Sequence, residues 1–253
     1  MVGAMNILLT NDDGIFAEGI RVLREQLLSL GEVWMVAPDS ERNAVSHALT
    51  LHRPLRLSPI DHHACAVNGT PADCINIALH HLLASPPRLV ISGINRGDNL
   101  GGDVNYSGTL AGAAEGARMG IAAFSISLAG ADSFDYRPAA RFALRLARFL
   151  LQHGLPPNTM LNVNVPDTAG QPIERYRITR QGKQRHRNTI EKKVDPRGMN
   201  YYWIGRSREC VTLPEDDHAS DYRAVEEGFI SITPLSLDRT DEPSYHAMTA
   251  WRL

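Results

Sequence analysis

Two adjacent carboxylates near the start of the chain carry its clearest chemical signal. The apolar run Ile7-Leu8-Leu9-Thr10 is followed directly by Asn11-Asp12-Asp13-Gly14. An apolar run without alternation predicts a central strand covered on both faces, and ligands of open α/β sheets bind beyond the carboxyl ends of such strands. Neighbouring Asp side chains stay ionised together only if a cation or strong donors lie between them. The pattern indicates either a metal site or an ordinary solvated turn, because Asn, Asp and Gly also dominate turns.

A second chemical signal is the start of a helix of small residues. The buried strand Leu89-Val90-Ile91-Ser92 leads into a glycine-rich loop, and Ser107-Gly108-Thr109 then opens the helix. Unpaired backbone N–H groups and two hydroxyls at a helix start suit an anion, so phosphate or carboxylate binding is favoured there over simple capping. Glycines recur every four residues, which predicts a helix face that approaches the sheet closely. These glycines are Gly108, Gly112, Gly116 and Gly120.

The surrounding pattern predicts an α/β fold. A strand at residues 7–10, a helix at residues 17–30 and a strand at residues 33–37 form a right-handed parallel crossover unit. The loop at residues 38–44, with Asn43, then starts at the same rim as the paired carboxylates. Further strands are predicted at residues 64–67, 122–128, 160–166 and 229–235, further helices at residues 71–84 and 137–152, and an exposed strand or hairpin arm at residues 49–57.

Composition narrows the class of protein. The chain has 253 residues and a net charge of −2, so its overall charge does not indicate binding to nucleic acid. Three cysteines without a CxxC pair argue for reduced thiols in the cytoplasm and against a zinc site. No apolar stretch approaches the roughly 20 residues of a membrane span. The sequence has neither GxxxxGK[ST] nor GxGxxG, which argues against a P-loop NTPase or a dinucleotide enzyme.

The candidate ligands are all hard oxygen donors. Asp12 with Asp13, Asn43 and Asn95 each follow a predicted strand. Carboxylate and amide oxygens select magnesium, manganese or calcium over zinc. An oxygen-ligated cation beside an anion-binding helix start is the arrangement of a phosphate-transfer site.

These motifs resemble the SurE survival proteins, a family of 5'/3'-nucleotidases and acid phosphatases. The matching segments occur in family order over nearly the whole chain and are highly specific together. They are Leu8-Leu9-Thr10-Asn11-Asp12-Asp13-Gly14, Val36-Ala37-Pro38-Asp39, Asn68-Gly69-Thr70-Pro71-Ala72-Asp73-Cys74, Ser92-Gly93-Ile94-Asn95, Asn99-Leu100-Gly101, Tyr106-Ser107-Gly108-Thr109, Asn162-Val163-Asn164-Val165-Pro166 and Tyr202-Trp203-Ile204-Gly205.

The resemblance implies a site and an activity. It implies one divalent cation per subunit, Mg²⁺ or Mn²⁺, with Ca²⁺ as a crystal substitute, held by Asp12, Asp13 and Asn95. Asn43 stands where the family usually has a serine ligand, and Ser40 and Ser46 are alternative donors. Nucleoside 5'- and 3'-monophosphates are the implied substrates. The implied phosphate-binding residues are Asn99, Ser107, Gly108 and Thr109.

The resemblance also implies an architecture. A Rossmann-like three-layer α/β/α catalytic core over residues 1–170 is expected, followed by a hairpin arm and oligomerisation segment over residues 171–253. The strand at residues 229–235 is a candidate to return to a core sheet. A segment exchanged between subunits would give a cytoplasmic homodimer or homotetramer, with neither nucleic acid nor membrane as a partner.

Two questions of mechanism stay open at this level. Asp12 and Asp13 are the expected catalytic residues, and a water activated by the cation is the first hypothesis for the nucleophile. A covalent nucleophile at Asp12 is the alternative, although the adjacency of the two aspartates favours water. A metal-dependent nucleotide-binding stress module without turnover is the alternative function.

Overall fold

The computed structural model describes residues 6–130, 135–169, 171–183, 188–206 and 219–252. Its strands, numbered along the chain, are β1 Asn6–Thr10, β2 Glu32–Pro38, β3 Leu57–Asp61, β4 Ala64–Val67, β5 Leu89–Arg96, β6 Ala122–Ala129, β7 Thr159–Pro166, β8 Tyr176–Ile178, β9 Asn188–Val194, β10 Asn200–Arg206 and β11 Ile230–Ser236. Its α-helices are α1 Glu18–Leu27, α2 Pro71–Ile77, α3 Gly108–Arg118, α4 Arg137–His153, α5 Asp221–Glu226 and α6 Glu242–Met248.

The main sheet has nine strands within the described residues, in the order β3-β4-β2-β1-β5-β6-β7-β11-β8. Six consecutive strands, from β4 to β7, are parallel to one another. β3 and β11 are antiparallel to their neighbours β4 and β7. The predicted α/β fold is confirmed, and the central strand β1 has β2 on one side and β5 on the other.

Helices cover both faces of this sheet. Ile20 and Leu23 of α1 pack in one apolar cluster with Phe142 of α4. Ile75 of α2 and Leu110 of α3 belong to the cluster on the opposite face. The predicted three-layer α/β/α core is therefore present, and the site lies where the central parallel strands end.

The glycine face of α3 approaches the sheet as predicted, over three of its four members. A Cβ on Gly112 would lie 2.5 Å from Cγ2 of Thr10, and one on Gly116 would lie 2.7 Å from Cβ of Val90. Gly120 follows the helix instead, with a φ of +76°, and a Cβ added to it would point into open space. Its assignment to the packed face is wrong, because it serves the turn after the helix.

Two predicted elements differ in the structure. The exposed strand or hairpin expected at residues 49–57 is wrong, since β3 begins only at Leu57 and the preceding segment is a loop. Side chains hold this loop: the backbone N–H of Thr50 donates to Asp73, and that of Arg56 donates to Asn68. The helix expected to reach residue 84 ends earlier, with α2 followed by a π-type turn over Ala78–Leu82.

The chain beyond residue 170 contributes both to the main sheet and to a separate hairpin. β8 and β11 pair in parallel at the edge of the main sheet. β9 and β10 form an antiparallel hairpin with exposed apolar side chains that include Trp203 and Ile204. None of the helices in the described ranges has the length and apolar character that crossing a membrane requires.

Candidate functional site

Three segments meet at the carboxyl end of the central strands. The backbone N–H of Arg42, in the loop after β2, donates to the backbone carbonyl of Asp12 at 2.7 Å. The backbone N–H of Arg96, at the end of β5, donates to Oδ2 of Asp13 at 3.1 Å. The loop after β1 therefore contacts both of its neighbours, because the parallel strands on each side end at the same rim.

Asp12, in the loop after β1, is a buried carboxylate that contacts the start of α3. Its exposed fraction is 4%, and the hydroxyl of Thr109 donates to its Oδ1 at 2.5 Å. The pKa of Asp12 is raised to about 6: burial is the largest cause, the bond from Thr109 lowers the pKa, and the charge of Asp13 raises it. A backbone hydrogen bond from Thr109 also lowers this pKa. The first turn of α3 thus stabilises the ionised form of Asp12 against burial.

Gly108 allows α3 to approach this carboxylate. A Cβ at Gly108 would lie 2.9 Å from both Cβ and Oδ2 of Asp12 and 3.2 Å from the carbonyl oxygen of Arg42. Any larger side chain would displace one of these groups. A glycine is required here for close contact between the helix start and the carboxylate loop.

Asp13 is less enclosed than its neighbour. Burial is the largest influence on its pKa and raises it; the N–H of Arg96 lowers that pKa, and the charge of Glu41 raises it. Two adjacent carboxylates with raised pKa values are stabilised as a pair only by positive charge or by hydrogen-bond donors.

Each candidate amide ligand is adjacent in sequence to a residue that contacts the loop of Asp12 and Asp13. Asn95 is 9% exposed, and its Nδ2 donates to the carbonyl of Gly97 at 3.0 Å. It directly precedes Arg96, whose N–H contacts Asp13. Asn43 is exposed and donates from Nδ2 to Oε1 of Glu41. Since both amide nitrogens have partners, the orientation of each amide is set.

This donor set fits a hard divalent cation. Among the described residues, no three His, Cys, Asp or Glu side chains gather as a metal-binding group, so amide oxygens would have to complete the coordination. Two carboxylates whose ionised form is destabilised by burial, together with amide oxygens as further hard donors, suit Mg²⁺ or Mn²⁺. Asp12, Asp13, Asn43 and Asn95 are the residues that could hold such an ion.

The predicted phosphate-binding residues of α3 have different tasks. Ser107 is the N-cap, and its hydroxyl oxygen accepts the N–H of Leu110 at 3.1 Å. Thr109 is fully buried, and its hydroxyl already donates a hydrogen bond to Asp12. A direct contact of Thr109 with phosphate would therefore involve its backbone rather than its hydroxyl. Phosphate binding at Ser107, Gly108 and Thr109 stays a prediction.

Asn99 is held by a buried polar network. Its Nδ2 donates to the hydroxyl of Ser127 at 2.9 Å, and its backbone N–H donates to Oδ1 of Asn164 at 2.8 Å. The side-chain amides of Asn162 and Asn164 both donate to the backbone carbonyl of Asn99. Sequence reasoning assigned no role to Asn162 or Asn164. The signal that could have found them is asparagine at alternate positions of a buried strand, where a polar side chain needs a partner.

Asp221 is a further residue to which the sequence assigned no role. It is fully buried, and it accepts the backbone N–H groups of Gly101 and Gly182, each at 2.9 Å. The hydroxyl of the adjacent Tyr222 donates to the carbonyl of Leu100 at 3.1 Å. The C-terminal part of the chain therefore fixes the glycine-rich loop that precedes α3. A lone Asp after a polar segment gave no indication of this role.

Comparison with known proteins gives one consistent family. The sequence profile of the family described as Survival protein SurE matches residues 7–188. A protein of Geotalea uraniireducens named 5'-nucleotidase SurE is 50% identical over 251 residues, which are 98% of this chain and 100% of that protein. A protein of the same name from Geobacter sulfurreducens is 50% identical over 98% of this chain and 94% of its own length.

A solved structure agrees with the sequence matches. The crystal structure of the SurE protein from Aquifex aeolicus is similar to this chain with a TM-score of 0.85 and 39% sequence identity. The similarity covers 96% of this chain and 98% of that one. The two chains therefore share one fold over nearly their whole length.

Proposed function

The chain belongs to the SurE family, and from this premise we propose that it is a hydrolase that releases phosphate from nucleoside 5'-monophosphates in a reaction that depends on a divalent cation. Its relatives carry the name 5'-nucleotidase at about 50% identity over nearly the full chain. The main support for the proposal is the contact between Asp12 and α3, which places a buried carboxylate beside a helix start.

Asp12, Asp13, Asn43 and Asn95 would hold the cation. When bound, the ion supplies positive charge beside the phosphoryl group and lowers the pKa of a water nucleophile. The protein's contribution is to fix the ligands: Thr109 orients Asp12, Arg96 binds Asp13, and Glu41 orients Asn43. Such partners of the ligands commonly change metal affinity 10- to 100-fold.

The start of α3 is proposed to bind the phosphate. Helix starts present backbone N–H groups to anions, and the absence of a side chain at Gly108 lets the start of α3 approach Asp12 closely. Ser107 contributes a hydroxyl at the same place. Asn99 would act by shaping the loop that leads to α3, because its own amide nitrogen is bound to Ser127.

The test is release of phosphate from AMP with and without Mn²⁺, before and after treatment with EDTA. Asp12→Asn and Asp13→Asn should each lower kcat/KM by at least about 100-fold, on the scale of lost electrostatic stabilisation. Asp61→Asn is the matched control, since Asp61 is exposed and pairs with Arg24. Full activity of either variant, or of the EDTA-treated enzyme, would exclude the proposed site.

The same assay separates the alternatives. Tight binding of AMP without release of phosphate would favour the non-catalytic nucleotide-binding module. Acid-quenched reactions with labelled substrate would trap a phosphoenzyme if Asp12 were the nucleophile, whereas a water nucleophile leaves none. A panel that includes 3'-monophosphates defines the range of substrates.

We also propose that the protein is a homo-oligomer located in the cytoplasm. Exposed apolar side chains on the β9–β10 hairpin, among them Trp203 and Ile204, support exchange of this arm between subunits of a homodimer or homotetramer. Cys65 and Cys74 are free thiols, which suits the cytoplasm. Light scattering at defined concentration, with and without residues 188–206, measures the role of the arm.

A further inference from the structure

A cavity of about 520 Å³ runs along α3, on a different face from the glycines that pack on the sheet. The helix residues that line it, at positions 107, 110 and 111, 114 and 118, recur at intervals of three or four, as expected for one helix face. They are Ser107, Leu110, Ala111, Ala114 and Arg118. The cavity is therefore a feature of the helix that also carries the candidate phosphate site.

One end of this cavity lies beside the residues that contact Asp12. Ser107 lines the cavity and caps α3, and the next two residues, Gly108 and Thr109, contact Asp12. Arg118 lies 11 residues further along the helix, which corresponds to about 16 Å at 1.5 Å per residue. A ligand with its phosphate at the helix start could extend along this face.

The lining combines apolar surface with a few polar groups. Leu110, Met160 and Leu235 supply apolar contacts, and Arg118 and Arg239 supply guanidinium groups. Small-molecule sites have this composition and volumes of about 300–1,000 Å³. A guanidinium can stack on a planar ring and donate to its acceptor atoms. These properties suit a heterocyclic base and its sugar.

A part-buried hydrogen-bonded pair, His47 and Glu115, holds one wall of the cavity in place. Nε2 of His47 lies 2.6 Å from Oε2 of Glu115, and Nδ2 of Asn76 donates to Oε1 of the same carboxylate at 2.9 Å. Glu115 is 2% exposed, whereas His47 lines the cavity. The wall is thus fixed before a ligand arrives, which reduces the entropy lost on binding.

We propose that this cavity binds the base and ribose of the nucleoside monophosphate whose phosphate occupies the start of α3. The inference rests on the proposed nucleotidase function and deepens it, because it assigns the part of the site that distinguishes nucleotides from other phosphate esters. His47, Ala114, Arg118 and Arg239 are the proposed specificity-determining residues.

The test compares substrates with and without a base. Ala114→Leu adds three carbons to the cavity wall and should raise KM for AMP and GMP by about 10-fold or more, within the range that small steric changes give in a pocket. Turnover of ribose 5-phosphate, which lacks the base that Ala114 would face, should change by less than about twofold. Arg239→Ala, at an exposed position, should raise KM for the same nucleotides without affecting ribose 5-phosphate.

Ala117→Leu is the matched control. Ala117 is on the same helix and packs against the same apolar cluster as Ala114, but it is outside the cavity lining. Its KM values should equal those of the wild type, and thermal unfolding should confirm that all variants fold. Equal losses on AMP and ribose 5-phosphate, or unchanged KM in both Ala114→Leu and Arg239→Ala, would overturn the proposal.

A binding measurement separates this inference from the proposed function. Adenosine should bind to the wild-type protein in calorimetry, and about 10-fold more weakly to Ala114→Leu. This result would support the cavity assignment even if no phosphate ester were hydrolysed. Absence of adenosine binding to the wild type would overturn the cavity assignment, even if AMP were hydrolysed at a normal rate.

Discussion

The hydroxyl of Thr109 donates a hydrogen bond to Asp12, a residue 97 positions earlier in the chain. This contact joins the end of the central strand to the start of α3. It also lowers the pKa of Asp12, which burial, the largest cause, and the charge of Asp13 nevertheless raise to about 6. One hydroxyl therefore both positions a candidate ligand and favours its ionised form.

Replacing this hydroxyl by a methyl group tests its role. In Thr109→Val the pKa of Asp12 should rise above its value of about 6, because a bond that lowers it is lost. Carbon-13 NMR of the metal-free protein measures this titration. Affinity for Mn²⁺ at neutral pH should fall about 10-fold. Thr109→Ser keeps a hydroxyl and should stay near the wild type; an identical titration in Thr109→Val would contradict the assignment.

Gly108→Ala should separate activity from stability. Its Cβ would lie 2.9 Å from the carboxylate of Asp12, so either the helix start or the ligand must move. A displacement of about 1 Å at a reacting centre can cost about 100-fold in rate. Gly112→Ala is the control, since its Cβ meets Thr10 and Ser92 instead. Both variants should be destabilised by about 1–3 kcal/mol in urea unfolding, but only Gly108→Ala should lose activity beyond that expected from its folded fraction.

Substitutions of Asn43 test whether an amide can take the place of a hydroxyl ligand. Asn43→Ala removes the side-chain oxygen and also the bond to Glu41, and should weaken Mn²⁺ binding by about 10-fold. Asn43→Ser restores an oxygen donor and should recover most of the affinity. Isothermal titration of the metal-free protein with Mn²⁺ measures both. Equal affinity in Asn43→Ala and the wild type would remove Asn43 from the ligand set.

The sequence predicts those parts of the protein that depend on local patterns. Apolar runs locate β1, β2 and β5, and turn or cap residues locate the starts of α2 and α3, because strand and cap signals lie within a few adjacent residues. The alternation at residues 49–57 predicts a strand wrongly, since alternation alone does not show that the N–H groups of this loop bond to Asp73 and Asn68.

The rest of the site depends on contacts between distant segments. Asp12 and Asp13 are visible in the sequence because two adjacent carboxylates after a strand are unusual. The bond from Thr109 to Asp12 and those from Gly101 and Gly182 to Asp221 join residues far apart in sequence. The spacing of residues along the chain does not indicate such long-range contacts. The sequence therefore predicts that the hydroxyl of Thr109 contacts phosphate, whereas in the structure it contacts Asp12.

Asp221 should connect stability to activity. Asp221→Asn replaces one acceptor oxygen by an NH₂ group, so at least one of the backbone N–H groups of Gly101, Gly182 and Tyr222 loses its acceptor. The expected cost is about 1–3 kcal/mol of unfolding free energy, because the site is buried. Activity should also fall, since Gly101 belongs to the loop before α3. Tyr222→Phe removes the bond to the carbonyl of Leu100 and should cost about 1 kcal/mol.

Glu115 should give the protein a pH-dependent increment of stability. The hydrogen bond from His47 is the largest cause that lowers the pKa of Glu115 below its ordinary value of 4.5. A carboxyl whose pKa is lower in the folded than in the unfolded protein stabilises the fold above the unfolded pKa, and this increment is lost as the pH falls through the folded pKa. Urea unfolding between pH 3 and pH 7 measures it.

The variant Glu115→Gln lacks this titration. Its difference from the wild type in unfolding free energy should be largest above pH 4.5 and should shrink as the pH falls below that value. His47→Gln removes the main partner, and a double-mutant cycle should give a coupling of about 0.5–3 kcal/mol at pH 7 because the two side chains are in contact. A difference that is constant with pH, or a coupling near zero at pH 7, would show that the contact between His47 and Glu115 does not stabilise this wall of the cavity.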